Sequence, residues 1–254
     1  MAVKHPLRLI KYRLKRVNKR LILFAVFSAA FRSRIFRHVG AKALSKTPKF
    51  QITDLWPGNV KQGLVIVEGD FEFLGTLIRD TDMPWMAKNV SDEWLSSVSE
   101  FNWLQDLHAV GTDAARDKAR HLISLWIDTN GIRWRKDAWR PSVAGNRLSN
   151  WIDQREFLAV GATPSFLRKL DTSIYQHNRF LKHLRLLLPP GFNRIIALKG
   201  LILTALTNRD CRYLIRVCKH LDREIVTQIL GDGGHITRNP IIEVELLRHL
   251  IDIR

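Results

Sequence analysis

The densest group of chemically capable residues lies near the C-terminus, in Gly231-Asp232-Gly233-Gly234-His235-Ile236-Thr237-Arg238-Asn239-Pro240. Glycines 233 and 234 precede His235, so the backbone can turn sharply and approach a ligand closely. An imidazole and a guanidinium three residues apart, in a loop feeding a helix N-terminus, suit an anion, and a carboxylate above all. The same residues also fit a purely structural reading. Gly231 and Gly233 would end one helix, Asn239-Pro240 would start the next, and His235 and Arg238 would be solvated.

Other residues offer less. Trp134, Trp139 and Trp151, near Arg147, could stack sugar rings in a cleft or fill a core. His177, beside Tyr175, sits on the apolar stripe of a long helix, where a histidine is either a satisfied core residue or a cleft residue. No His-x-x-x-His pair, P-loop, Gly-x-Ser-x-Gly or Gly-x-Gly-x-x-Gly occurs, which disfavours metal hydrolysis, nucleotide use and serine hydrolysis. No metal or cofactor is expected. Cys211 and Cys218 are seven apart, two turns along one helix, so neither a disulfide scaffold nor a structural zinc site is available.

These residues must be positioned mostly by helices. Residues 63–67 and 71–74 read as two strands flanking a turn at Glu68-Gly69-Asp70. Beyond them the pattern is helical: seven helices are expected, over about 91–108, 112–130, 142–160, 163–188, 192–206, 212–230 and 239–253. Short connections between consecutive helices imply antiparallel pairs, stacked as a solenoid or closed into a toroid, and the lack of a repeat period argues against a regular solenoid. The last pattern runs to the end of the sequence without a C-cap glycine, from which a further segment beyond it is expected.

At the glycine loop the chain resembles the heparinase II/III-like polysaccharide lyases. The resemblance rests on Glu224, Gln228, Ile229, Asp232-Gly233-Gly234-His235, Arg238-Asn239-Pro240 and Leu246-Leu247. Upstream it is supported by residues 71–75, 101–107 and 139–141, by Arg147, Leu148 and Trp151, and by residues 176–181. It covers about residues 60–254 and implies an all-α, incomplete (α/α) toroid. It further implies a ligand of the anionic, uronate-containing polysaccharide class, cleaved by β-elimination. That reaction needs a group that neutralises the uronate carboxylate, a base for the C5 proton and an acid, usually Tyr, for the leaving oxygen. By the match, His235 is the base or neutraliser and Arg238 the carboxylate clamp, with Asn239, Trp139, Arg147, Trp151 and His177 as substrate-binding residues. The family's catalytic Tyr follows the loop, whereas this chain has only Tyr12, Tyr175 and Tyr213, all before it. The expectation is therefore an N-terminal lyase half with the C-terminal β domain absent. Such a half would be nearly inactive alone, with a separately encoded β domain as a possible partner.

Charge divides the sequence. Residues 1–50 hold 14 of the 41 Lys and Arg and none of the 24 Asp and Glu, leaving 27 bases against 24 acids in the rest. The expected organisation is a basic amphipathic arm over 1–49 and a helical domain over 50–254. In the arm Leu7, Ile10, Leu14, Val17, Leu21, Phe24 and Phe31 form an apolar stripe at helical spacing. It would pack on the body, contact an anionic membrane surface through residues 4–37, or serve as an export signal; its apolar run over 21–31 is too short to span a bilayer. A nearly neutral body makes nucleic acid a poor partner. The rival reading is a non-catalytic helical module that binds membrane or nucleic acid through the arm. The resemblance favours the cell envelope or periplasm, with the cytoplasm as the alternative.

Overall fold

The computed structural model describes residues 56–131, 135, 137–184 and 188–253. The basic arm, its expected helix and Trp134 lie outside them. The described chain is mostly helical with one small antiparallel sheet. Its elements are α1 (Val60–Glu68), β1 (Phe71–Phe73), β2 (Thr76–Ile78), a 3-10 turn (Pro84–Met86), α2 (Asp92–Glu100), α3 (Leu104–Val110), α4 (Asp113–Asn130), α5 (Pro141–Asp153), α6 (Arg155–Ala159), α7 (Pro164–Leu184), α8 (Phe192–Thr207), α9 (Cys211–Gln228) and α10 (Pro240–Ile251). None of the described helices is long and apolar enough to cross a membrane.

The expected hairpin at 63–74 is corrected. Residues 60–68 are helical, and β1 pairs instead with β2 around Leu74-Gly75. The run Gly63-Leu64-Val65-Ile66-Val67 favours a strand by local propensity, but its surroundings override that preference. Asn59 caps the helix, its side chain accepting from the N–H groups of Lys61 and Gln62. Gly63 then packs directly on α3, where a Cβ would lie 2.3 Å from the Asp106 carbonyl oxygen. Gly69 at φ +101° ends the helix.

The expected helix over 91–108 is two. It breaks at Phe101, a non-glycine residue at φ +63°. The cost of that conformation is offset by full burial of the ring, whose centroid lies 4.8 Å from that of Trp103 and 5.3 Å from that of Trp151. The segment 142–160 likewise divides at Gln154 into α5 and α6. Elsewhere the helices fall close to their expected limits, as with α4 after its Thr112 cap and α7 from Pro164.

One contiguous core runs from Ile66 to Leu246. At its centre α5 and α8 approach closely through two glycines. A Cβ on Gly145 would lie 2.8 Å from the Ile196 carbonyl oxygen, and one on Gly200 would lie 2.9 Å from the Gly145 carbonyl oxygen. This contact sets the spacing of two helices that flank a polar cleft.

Candidate functional site

The glycine loop does not present its imidazole and guanidinium together. Ile229 and His235 form an isolated antiparallel bridge, and the Ile236 N–H donates to the Gln228 carbonyl. This folds the loop back on the end of α9. His235 is 1% exposed, and its Nδ1 accepts from the Thr237 N–H at 3.2 Å. The Thr237 hydroxyl lies 2.7 Å from the same nitrogen. Nε2, which then carries the proton, is buried without a hydrogen-bond partner among the described residues. Arg238 is exposed and donates at 2.6 Å to Asp232, and this ion pair holds the Asp232 carboxyl below its usual range. Asn239 is a helix cap, its side chain accepting from the Ile241 N–H at 3.0 Å.

Four other expected binding residues, Arg147, His177, Trp139 and Trp151, gather in the core. Arg147 and His177 are fully buried. The guanidinium lies 3.9 Å from the ring centroid of Trp126, with Trp139 and Trp151 at 5.3 and 5.9 Å. Its Nε donates to His177 Nε2 at 2.9 Å, and its Nη1 donates to the carbonyls of Ser99 and Ala138 at 2.8 and 2.9 Å. His177 Nδ1 therefore carries the proton and donates to the Ser173 carbonyl at 2.7 Å. Burial and the adjacent Arg147 push the imidazole well below its usual range, so it stays neutral. Burial also pulls Arg147 below the ordinary guanidinium range, opposed by the nearby Glu100. The set is a buried cation held by rings and carbonyls, and none of its four members lines the polar cleft between α5, α8 and α10. These side chains lie in the core and not in that cleft: Arg147, Trp151 and His177 on the core-facing sides of their helices, and Trp139 in the turn before α5.

That cleft encloses about 340 Å³. Helix α5 contributes Ser142, Asn146 and Asn150, four residues apart and so on one face. From α8 come Phe192, Asn193, Ile196 and Lys199, and from α10 come Glu245, Arg248, His249 and Asp252. Glu100 at the end of α2, with Asn102 and Gln105, closes a third side, and Trp56 stands at the edge. Asn146, Asn150 and Lys199 are buried and form the floor, whereas Asn102, Asn193, Glu245 and Arg248 are exposed.

The floor is a connected polar network. Asn150 Nδ2 donates to the Glu100 carbonyl at 2.8 Å and to Asn102 Oδ1 at 2.7 Å, and Asn102 donates to the Glu100 carboxyl at 3.2 Å. Burial pushes the Glu100 carboxyl up to about 7, opposed by hydrogen bonds from Asn146 and Asn102 and by Arg147 behind it. His249 is pushed down to about 4 by burial and by Lys199, so it is neutral near pH 7. Lys199 is paired with Asp252, which also accepts from the Trp56 indole at 2.7 Å. The Arg248 guanidinium lies 4.9 Å from the Trp56 ring centroid. Glu100 is thus a cleft group poised to exchange a proton near neutral pH, and His249 is a neutral imidazole there. Neither Tyr175 nor Tyr213 lines the cleft. Among the described residues no His, Cys, Asp and Glu cluster could hold a metal ion.

Sequence reasoning missed the asparagines. Their signal was a polar stripe at 142, 146 and 150 on a helix otherwise full of buried residues.

No known protein-family profile matches the chain. Over 201 residues it is 30% identical to FtsZ-localized protein C of Caulobacter vibrioides, a match covering 78% of this chain and 34% of that protein. The chain thus spans about a third of the length of this curated relative. Among solved structures it resembles heparan sulfate lyase HepC from Pedobacter heparinus, with a TM-score of 0.62 and 18% identity over 94% of this chain and 42% of that one. It also resembles a heparinase III with methylated lysines, with a TM-score of 0.62 and 15% identity over 94% and 42% of the two chains. The fold is heparinase III-like.

Proposed function

We propose that residues 50–254 are a glycan-binding domain, built as an incomplete (α/α) toroid, with the asparagine-lined cleft as its binding site. The observation that supports this most is the convergence of uncharged polar side chains from α5, α8 and the α2–α3 junction on one concave surface, within a fold like that of the heparan sulfate lyases. Polysaccharide sites need many groups that both donate and accept, and side-chain amides supply them.

One finer form of this reading, the one that the resemblance to the lyases implies, is a uronate chain prepared for β-elimination. Of the three groups that reaction needs, the cleft offers Arg248 as the rim cation for a carboxylate and Glu100 and His249 for proton movement. A tyrosine acid is not among its lining residues. Losing a positioned acid costs about 10²–10⁴-fold in rate. The chain by itself is therefore expected to bind a glycan and turn it over little, with a β-rich partner domain as the source of the acid.

The test is calorimetric titration of the full chain with an oligosaccharide panel, alongside an ultraviolet assay for unsaturated uronate ends. Binding that Asn146→Ala or Asn150→Ala weakens, with a flat absorbance trace, supports the proposal. Failure of every oligosaccharide to bind refutes it, and brisk release of unsaturated products refutes its inactive form.

The likeness to FtsZ-localized protein C favours a second reading, in which the helical body is an interaction module that joins FtsZ. Co-sedimentation with FtsZ polymers, absent when FtsZ is held unpolymerised and monomeric, would support it. Membrane contact through residues 4–37 is a separate proposal, tested by co-sedimentation with anionic vesicles before and after deletion of 1–49.

A further inference from the structure

We infer that the cleft selects an uncharged glycan bearing amide and hydroxyl groups, such as an N-acetylated sugar chain, over a polyuronate or sulfated one. The inference rests on the glycan-binding reading above and names its ligand class. Three observations carry it.

First, the cleft has no surplus of positive charge. Its ionisable lining consists of the acids Glu100, Glu245 and Asp252 against the bases Lys199 and Arg248, with His249 alongside. Burial and Lys199 keep His249 neutral near pH 7, so it adds no cation there. An incoming carboxylate or sulfate would meet Glu245 at the rim as a like charge, and Glu100 on the buried side as well once pH rises through about 7.

Second, both cations already have partners. Lys199 is 7% exposed at its side chain and paired with Asp252, which is itself held by the Trp56 indole. Arg248 lies over the Trp56 ring. Recruiting Lys199 to a ligand anion would leave the Asp252 carboxylate, only 18% exposed, without its counter-ion. Residues 51–254 bring no large surplus either, holding 27 bases against 24 acids. A polyanion reader would be expected to show a basic face.

Third, the uncharged part of the lining matches a neutral sugar. Asn193 nearer solvent presents a side-chain carbonyl and an NH₂ group, Asn146 on the floor presents its carbonyl and the N–H not given to the Glu100 carboxyl, and Asn150 presents its carbonyl, its two N–H groups being given to the Glu100 carbonyl and to Asn102. Hydroxyl and acetamido groups also donate and accept, so they can satisfy such amides without a counter-charge. The volume of about 340 Å³ is at the small end of ligand sites, about 300–1,000 Å³. That suits a short stretch of a chain whose remainder runs out past the exposed asparagines.

The experiment is isothermal titration of the full chain at two salt concentrations with four probes: an N-acetylglucosamine oligomer, a cello-oligosaccharide, an oligogalacturonate and a heparan sulfate oligosaccharide. The expected result is that the N-acetylated oligomer binds at least about tenfold more tightly than either polyanion. Its affinity should hardly change with salt and should fall about tenfold in Asn146→Ala and in the rim variant Asn193→Ala. The rim variant guards against misfolding caused by removing a floor amide. Tighter, salt-sensitive binding of a polyanion, lost in Arg248→Ala, would overturn the inference and leave the glycan reading standing. Equal affinity for the cello-oligosaccharide would overturn the amide preference. No binding of any probe would overturn both this inference and the reading beneath it.

Discussion

Helix α5 carries two polar faces with opposite fates. On one, Arg147 is sealed among Trp126, Trp139, Trp151 and His177. On the other, Ser142, Asn146 and Asn150 open into the cleft. The cage holds a cation yet offers nothing to a ligand because it is sealed: Arg147 Nη2 and the indole nitrogens of Trp126 and Trp151 have no hydrogen-bond partner among the described residues, but they are buried out of a ligand's reach. The cleft side is mostly uncharged, yet it has the groups and the space to receive one. Chemical potency of a side chain is thus a poor guide to a site, and what decides is whether accessible space lies beside it.

The sharpest way to break this comparison is Arg147→Leu. Ser99 and Ala138 lose a carbonyl partner and His177 loses its donor, so urea denaturation should show a loss of about 3–5 kcal/mol. A variant that kept its stability but lost glycan binding would move the cage into the site.

Next in size is Glu100→Gln, which probes the wall between the two regions. Burial raises the folded-state carboxyl from 4.5 to about 7. The neutral form is favoured on folding, so its contribution is fully present below about pH 4.5 and is lost as pH rises through about 7. Stability measured across pH 4.5–8 should therefore fall in the parent relative to the variant, by on the order of 2 kcal/mol at the alkaline end. His249 works the other way. Its pKa falls from 6.5 to about 4, so its contribution is lost as pH drops through that window, and His249→Phe should flatten the acid side.

Smaller again is Gly200→Ala. The added Cβ would press on the Gly145 carbonyl, costing about 1–3 kcal/mol by thermal unfolding and widening the α5–α8 spacing that shapes the cleft. Glycan affinity should drop with it. The smallest effect is expected for Arg238→Ala, whose exposed pair with Asp232 is worth little. Neither the unfolding midpoint nor glycan affinity should change resolvably, and a clear loss of affinity would return the glycine loop to the site.

The helical frame was legible because its signals are local. Apolar spacing and caps such as Thr112 and Asn239 need no knowledge of neighbours. The resemblance to heparinase-like lyases agrees with the heparinase III-like fold. What escaped depends on distant partners. Residues 60–68 became a helix through packing on α3, and the helix over 91–108 broke where the Phe101 ring found three tryptophans. The site was harder still. His235 and Arg238 stand close in sequence and meet different environments, whereas Asn102, Asn146 and Asn193 are far apart in sequence and share one hollow. The spacing of residues 142, 146 and 150 could have pointed to it, but a polar stripe reads equally as a solvated face until the neighbouring helices are in place.

The most direct measurement is nuclear magnetic resonance of the side-chain amides during titration with an N-acetylglucosamine oligomer. The account predicts that the Asn146 and Asn150 NH₂ signals shift in step with saturation while those of Asn239 and the Arg238 guanidinium stay still. Movement confined to the glycine loop, with the floor amides unaffected at saturating oligomer, would contradict it.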